Sequence, residues 1–224
     1  MLSVRTASLY LVALASIANP AVSAAGLWPA GPTMSEELYF RQSWGRQLTP
    51  PESEHEASRW LREAKEQRSR NTAHLMRGLA RYRRAKYREA AADLRMAERG
   101  VVNEDLAVFF RAESLFHLGD YESARILFTG FARRFPTSVW RFRARVRHGD
   151  CLLFQGEFQA GVKVLEDALN RYPDYPHPVA IRVAIADGYR NLGRLDESAA
   201  WLDATLWTYP EDPQIHVVRK MLES

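Results

Sequence analysis

One 18-residue pattern occurs three times in the chain at a fixed interval. The copies are GDYESARILFTGFARRFP (119–136), GEFQAGVKVLEDALNRYP (156–173) and GRLDESAAWLDATLWTYP (193–210), and each begins 37 residues after the one before it. Every copy opens with a glycine and closes with an aromatic residue followed by proline. A period of this size is typical of repeat arrays, in which each unit buries its apolar face only against its neighbours.

Each copy predicts the second helix of a helix–turn–helix pair, and the stretch before it predicts the first helix. The opening glycines lie at the turn, where a left-handed backbone favours glycine, and Ala85 takes that place in the first pair. Small residues midway along the first helices allow close helix approach; they are Gly78, Ala112, Gly149 and Ala186. The predicted pairs are 71–85 with 87–100, 103–119 with 121–135, 137–156 with 158–172, and 177–193 with 195–209.

Further helices are predicted on both sides of these pairs. A helix begins at about Glu52, where acidic residues occupy the first turn. Asn103 is the predicted N-cap of the second pair. At the end of the chain, Asp212 is the predicted N-cap and Pro213 the first residue of a closing helix, which would shield the apolar face of the last repeat.

The small mid-helix residues, the large residues that open the second helices (Tyr87, Tyr121 and Phe158) and the closing prolines resemble the tetratricopeptide repeat over roughly residues 71–210. The first pair departs from the family pattern, because it lacks the turn glycine and the final proline, and Arg145 and Arg182 stand where the family usually has a large apolar residue. The resemblance implies an all-α, right-handed α-solenoid of about four repeats across 52–224, with an N-terminal helix and a C-terminal capping helix. The form of the repeat in this chain, with its 37-residue spacing, is similar to repeats of periplasmic proteins in outer-membrane assembly, Tol–Pal-associated division and gliding machineries. This similarity implies a scaffold that binds proteins.

The first residues predict export. Residues 1–24 combine Arg5, an apolar stretch and small residues before Ala24, a pattern typical of a cleavable signal peptide. An uncleaved anchor is the alternative, which Pro20 and the short apolar stretch disfavour. We therefore expect a periplasmic protein, associated with the outer membrane through a partner or peripherally. Residues 25–51 predict an arm or linker, in which SEELYFRQSW forms either a short helix against the array or a docking segment.

No catalytic or metal-binding motif is apparent in the sequence. The six histidines form no metal-ligand spacing, nucleotide-binding glycine motifs are absent, and Cys151 is the single cysteine, with the apolar neighbours of a buried thiol. We expect no enzyme, no cofactor and no metal.

Two basic runs leave a second class of function open. Residues 77–88 and 133–148 each contain six lysine or arginine residues and no acid. Such runs, interleaved with aromatic residues, are one mark of nucleic-acid binding, but an exported protein rarely meets nucleic acid, so no nucleic-acid partner is expected. The alternative function is therefore a basic module for anionic polymer or lipid headgroups, and the favoured one is a scaffold that binds a peptide or helix of an envelope protein.

In a superhelical stack the first helix of each pair lines the concave surface. The register of these helices places aromatic and charged side chains there, the residue types that dominate interface energies. Packing between repeats is the competing explanation for the apolar ones, whereas an arginine on an inner face has no evident packing role. The predicted partner-binding residues are Tyr82, Arg83, Phe109, Glu113, Phe116, His117, Arg143, Arg147, Asp150, Asp187 and Arg190. The sequence does not indicate the oligomeric state.

Overall fold

The computed structural model describes residues 50–98, 103–173 and 178–223. The signal peptide predicted for 1–24 and the arm predicted for 25–51 lie outside this part of the chain, apart from Pro50 and Pro51. Those two prolines already belong to the first helix, which therefore begins two residues before its predicted start.

All regular secondary structure in the described residues is helical, as predicted. The helices are α1 Pro50–Glu63, α2 Gln67–Arg83, α3 Tyr87–Ala97, α4 Glu104–His117, α5 Tyr121–Arg134, α6 Arg141–Phe154, α7 Phe158–Arg171, α8 Val179–Asn191, α9 Leu195–Thr208 and α10 Ile215–Leu222. The four predicted repeats are the antiparallel pairs α2–α3, α4–α5, α6–α7 and α8–α9. In addition, α1 packs on α2, and α10 packs on α9. None of the helices in this part of the chain combines the length and apolar character that crossing a bilayer requires.

The described residues divide into two compact units, and the division falls inside α6. The N-terminal unit is 50–147 and the C-terminal unit is 148–223. The sequence of 50–147 has 21 basic and 13 acidic residues, whereas 148–224 has 7 basic and 12 acidic residues. The N-terminal unit therefore carries a net positive charge and the C-terminal unit a net negative charge.

The turn inside each of the last three pairs depends on glycine. Gly119, Gly156 and Gly193 have φ angles of 80°, 81° and 74°, which confirms the predicted left-handed position. The backbone closes each turn in the same way: Gly119 N donates to Phe116 O at 3.0 Å and the next amide donates to Leu115 O at 3.0 Å. This is the Schellman arrangement that ends helices at a left-handed residue. In the first pair Ala85 holds the same conformation, with φ 55°.

Exchanging the residue types at these turns should move stability in opposite directions. Gly156→Val forces a β-branched side chain into a left-handed conformation, and we expect it to lower the free energy of unfolding by roughly 1 kcal/mol or more. Ala85→Gly relieves the same conflict and should raise the free energy of unfolding by about 0.5–1 kcal/mol. Urea unfolding followed by circular dichroism measures both changes. Equal midpoints for Gly156→Val and the unchanged protein would contradict the turn assignment, since a Cβ at Gly156 meets no atom within 4 Å.

The predicted small mid-helix positions allow α6 and α7 to pack closely in the C-terminal unit. A Cβ on Gly149 would lie 2.6 Å from Cδ2 of Leu165, and a Cβ on Gly161 would lie 2.6 Å from Cδ2 of Leu153. A leucine side chain of the facing helix thus packs directly against each glycine. Cys151 is fully buried on the same helix, as predicted.

The closing helix covers apolar surface of the last repeat, which confirms its predicted capping role. Ile215, Val217, Val218 and Met221 of α10 join a buried cluster with Val179, Val183, Ala186 and Leu202. The α-helix begins at Ile215, two residues after its predicted first residue, and its N-cap is Gln214 rather than Asp212. Asp212 accepts a hydrogen bond from Gln214 N at 2.8 Å in the turn before the helix. Asn103 does precede α4, but its side chain makes no capping hydrogen bond.

Candidate partner-binding site

The first helices of three successive repeats lie side by side in the N-terminal unit. Tyr82 Oη on α2 lies 3.4 Å from Glu113 Oε2 on α4, and Glu113 in turn contacts Arg147 on α6. The fold thus brings together six of the predicted residues on three helices. We call them the first-helix cluster: Tyr82, Glu113, Phe116, His117, Arg143 and Arg147.

A buried ion pair forms the base of this cluster. Arg147 Nε donates to Glu113 Oε1 at 2.7 Å and Nη2 donates to Oε2 at 3.3 Å. The Glu113 side chain is fully buried and only 5 % of the Arg147 side chain is exposed. The guanidinium also lies 4.7 Å from the centre of the Phe116 ring. Burial alone would raise the pKa of Glu113, but Arg147 and Arg143 outweigh it and hold the pKa of Glu113 below its ordinary value.

Next to the ion pair, His117 is held between aromatic rings. Its imidazole stacks on Tyr87 at 4.4 Å, with an angle of 12° between the ring planes, and lies 6.0 Å from the ring of Tyr82. Its Nε2 is buried without a hydrogen-bond partner. Burial lowers the pKa of His117 to about 4; Glu113 opposes this shift, and the nearby arginines reinforce it. The imidazole is therefore neutral near pH 7.

Arg143 adds a half-buried cation to the cluster. Its guanidinium carbon lies 5.4 Å from the ring centres of both Phe109 and Trp140. Phe109 is fully buried and also makes an edge contact with Phe110 at 5.3 Å. Aromatic rings therefore restrain the long side chain of Arg143, which lowers the entropy that a bound ligand would have to remove.

Three of the other predicted residues, Asp150, Asp187 and Arg190, lie in the C-terminal unit, whereas Arg83 and Phe109 lie in the N-terminal unit outside the first-helix cluster. Arg190 Nη2 donates to the carbonyl of Met221 at 2.7 Å, so this arginine holds the end of α10. Asp187 is buried, and burial raises its pKa against the opposing effects of Arg190 and Asn191. Asp150 is also buried.

Burial separates the eleven predicted residues into two classes. Half-buried residues, which keep surface for a ligand, are Tyr82, Arg83, His117, Arg143 and Arg190. Buried residues are Phe109, Glu113, Phe116, Arg147, Asp150 and Asp187. The expectation that an inner-face arginine has no packing role is wrong for Arg147, because Glu113 and Phe116 hold it inside the unit. That these residues bind a partner stays a prediction.

A recurring acid is the signal that sequence reasoning missed. Glu113, Asp150 and Asp187 lie 37 residues apart, each six residues before a turn glycine, and all three are buried. Buried acids need a counter-charge or hydrogen bonds. Their shared register could have indicated fixed charges within the array. The aromatic residues Tyr87, Phe110 and Trp140, which contact the cluster, were also not predicted.

Acids outside the first basic run neutralise most of it. Arg77 and Arg81 donate to the buried Asp93, with nitrogen–oxygen distances of 2.7 and 2.8 Å. Arg81, Arg84 and Lys86 contact Glu54 on α1. Burial opposes ionisation of Glu54, but the hydrogen bonds from these three side chains lower its pKa. Four of the six cations in this run therefore stabilise the packing of α1, α2 and α3.

The second basic run is also used largely within the fold. Arg134 pairs with Glu104 and lies 4.9 Å from the ring centre of Phe135, and Arg147 pairs with Glu113. Arg141 Nη1 donates to the carbonyl of Pro136 at 2.6 Å. The runs thus form ion pairs and helix contacts rather than a continuous free cationic surface.

Comparisons with known proteins agree with this architecture. A computed structural likeness links the chain to MamA (41-end) from Desulfovibrio magneticus RS-1, at 13% identity and a TM-score of 0.65, covering 83% of this chain and 99% of that one. MamA of AMB-1 is 18% identical, with a TM-score of 0.56, and the match covers 75% of this chain and 95% of that one. A kinesin-light-chain-type protein with nearly identical TPR-like repeats from Podosopora anserina is 15% identical, with a TM-score of 0.59, and the match covers 84% of this chain and 95% of that one. At these identities the likeness concerns the fold alone. No curated protein matches the sequence.

The family model gives the assignment. The tetratricopeptide repeat model matches residues 75–139 and 146–214, which is more than half of the 224 residues. Repeats of this kind serve as scaffolds that bind partner proteins or peptides, and they are generally non-catalytic. The chain belongs to the tetratricopeptide repeat family.

Proposed function

We propose that this protein is an exported scaffold that binds a peptide or helix of a cell-envelope complex through the half-buried part of the first-helix cluster. The observation that carries the binding site is the arrangement of Tyr82, His117 and Arg143 on three adjacent helices above the fixed Glu113–Arg147 pair. Aromatic and arginine side chains on a rigid base are the groups that contribute most to protein interfaces.

The charge of the cluster favours an acidic partner segment. The cluster contains two arginines, Arg143 and Arg147, and one acid, Glu113, which pairs with Arg147, so its net charge is positive. The N-terminal unit as a whole is basic, so its field attracts an acidic peptide. An anionic polymer or lipid surface would need several free cations at once, and the fold already pairs many of those in the two basic runs. The internal pairing therefore favours the protein-binding function over the polymer-binding alternative.

The proposed site of action rests on the sequence of the first 24 residues. Residues 1–24 have the composition of a signal peptide, so we propose that the mature chain is periplasmic and works in outer-membrane assembly, division or gliding-type motility. The mature protein purified from a periplasmic fraction should begin at Ala25, and a chain that retains residues 1–24 in the cytoplasm would contradict export.

Removing the accessible cation of the cluster should weaken partner capture. We expect Arg143→Gln to reduce recovery of cross-linked envelope proteins about ten-fold, as loss of a central charged contact does, with unchanged helical content by circular dichroism. Quantitative mass spectrometry of cross-linked, affinity-purified protein from the native envelope measures this recovery.

The matched control is Arg133→Gln. This removes the same charge from an exposed position of α5, outside the first-helix cluster, and should leave recovery unchanged. Equal recovery for Arg143→Gln and the unchanged protein would place the binding site elsewhere. Equal losses for both variants, together with recovery by the unchanged protein that falls steeply as salt is added, would instead support the general electrostatic binding of the alternative function.

A further inference from the structure

Arg182 is an unusual cation in the C-terminal unit. It lies on α8, at a position where the repeat pattern predicts a large apolar residue. Its guanidinium carbon lies over the ring of Trp201 at 5.1 Å and over the ring of Tyr209 at 5.4 Å. Trp201 and Tyr209 themselves pack against the buried cluster between α8, α9 and α10. Two anchored aromatic rings therefore fix the position of the guanidinium.

The described part of the chain supplies no acid to this guanidinium. Other arginines of the C-terminal unit do have acidic partners: Arg171 lies 3.0 Å from Asp167, and Arg194 lies 2.6 Å from Glu197. No carboxylate in the described residues pairs with Arg182, and its Nε is buried without an acceptor. The residue is only half-buried, and Nη1 and Nη2 are not among the buried atoms that lack a partner, so a ligand would reach the guanidinium through these two nitrogens.

We propose that Arg182, held by Trp201 and Tyr209, is a binding site for one carboxylate, namely an aspartate or glutamate side chain of a protein partner. The planar guanidinium matches a carboxylate through two parallel hydrogen bonds, and the aromatic contacts remove much of the side-chain freedom that binding would otherwise cost. The protein partner rests on the scaffold function of the family. The site itself lies outside the first-helix cluster and does not depend on that cluster or on export.

Among anionic ligands, the net negative charge of the C-terminal unit opposes multiply charged groups most strongly. Residues 148–224 carry 12 acidic and 7 basic side chains, so their summed field opposes dianions and polyanions more strongly than a single carboxylate. A phosphate group near pH 7 carries about two negative charges, so this field disfavours it relative to a carboxylate. We therefore assign the site to an acidic side chain and not to a phosphate group.

Three short peptides that differ in one group test this assignment. The probes are N-acetylated, C-amidated Gly-Glu-Gly, Gly-Gln-Gly and Gly-phosphoserine-Gly, titrated at constant ionic strength into the ¹⁵N-labelled mature chain. The arginine Nε–H region of a ¹⁵N–¹H correlation spectrum reports binding, and the signal that disappears in Arg182→Lys assigns Arg182. We expect the glutamate peptide to shift the Arg182 signal to saturation, the glutamine peptide to leave it in place, and phosphoserine to bind more weakly than glutamate.

Variants distinguish binding by the ring-held Arg182 guanidinium from simple attraction between opposite charges. Arg182→Lys keeps the charge but loses the fork and the planar stacking, and should weaken the glutamate peptide at least ten-fold in tryptophan fluorescence titrations. Trp207→Phe, a change at the most exposed tryptophan of α9, is the control and should bind the peptide like the unchanged protein.

The proposal is overturned by an unshifted Arg182 signal, by equal shifts with glutamate and glutamine, by tighter phosphoserine binding, or by undiminished binding to folded Arg182→Lys. If Arg182→Lys does not fold, triple-resonance spectra of the unchanged chain assign the Arg182 signal, and the peptide titrations of that chain decide alone. None of these results depends on capture through the first-helix cluster, so the two proposals can fail separately.

Discussion

Glu113→Ala is expected to lower the free energy of unfolding by about 3–5 kcal/mol, the typical cost of removing one member of a buried ion pair. The substitution removes the carboxylate that lies 2.7 Å from Arg147 Nε, while the Arg147 side chain beside Phe116 is only 5 % exposed to water. It also removes the acceptor near Tyr82. Urea unfolding followed at 222 nm measures the change, and the thermal midpoint should fall by about 10 °C.

A double substitution distinguishes the lost pair from lost packing. Arg147→Met alone leaves a buried carboxylate without its guanidinium and should also be strongly destabilising. The combination of Glu113→Leu with Arg147→Met removes both charges and should cost clearly less than the sum of the single substitutions, because apolar replacements of buried pairs are often well tolerated. Additive losses in the double variant would show that the two side chains stabilise the unit independently of each other.

The fold could be predicted from the sequence because its determinants are local and repeated. A turn glycine, a small mid-helix residue and a closing aromatic-proline pair recur at one spacing, and each acts within a single hairpin. Gly119, Gly156 and Gly193 have the left-handed conformation that this pattern requires. Even the exception at Ala85 keeps the turn geometry, which shows that the hairpin context determines the backbone there.

The predicted site was less complete because its contacts join different repeats. Arg147 meets Glu113 across 34 residues, and Arg77 meets Asp93 across 16, so neither pair appears as a local motif. Helical register correctly placed Tyr82, Glu113 and Arg147 on neighbouring first helices. It could not say which of these side chains a neighbour would bury, since burial depends on the distance between helices and on the size of facing residues such as Phe116 and Tyr87.

Stability should also depend on pH through His117. The pKa of this histidine is about 4 in the folded protein, below its ordinary value of 6.5, because burial disfavours the charged ring. The unfolded chain therefore takes up a proton first as the pH falls. The stability that comes from keeping His117 neutral in the folded protein is fully present above about pH 6.5 and is lost progressively as the pH falls to 4. The expected loss is about 2 kcal/mol between pH 7 and pH 5, given about 1.4 kcal/mol per pKa unit.

Comparison with His117→Phe isolates this histidine from the other titrating groups. Phenylalanine keeps a ring stacked on Tyr87 but cannot be protonated, so its free energy of unfolding should fall less between pH 7 and pH 5 than that of the unchanged protein. His216→Gln, a change at an exposed histidine of α10, should retain the full dependence. Glu113 does not account for the effect in this window, because its lowered pKa places its own loss of stability at more acidic pH.

If His117→Phe and the unchanged protein lose stability equally between pH 7 and pH 5, the histidine is solvated and the rings of Tyr82 and Tyr87 do not enclose it. Such a result would also weaken the proposed binding site, because that site depends on a rigid, desolvated surface next to Arg143.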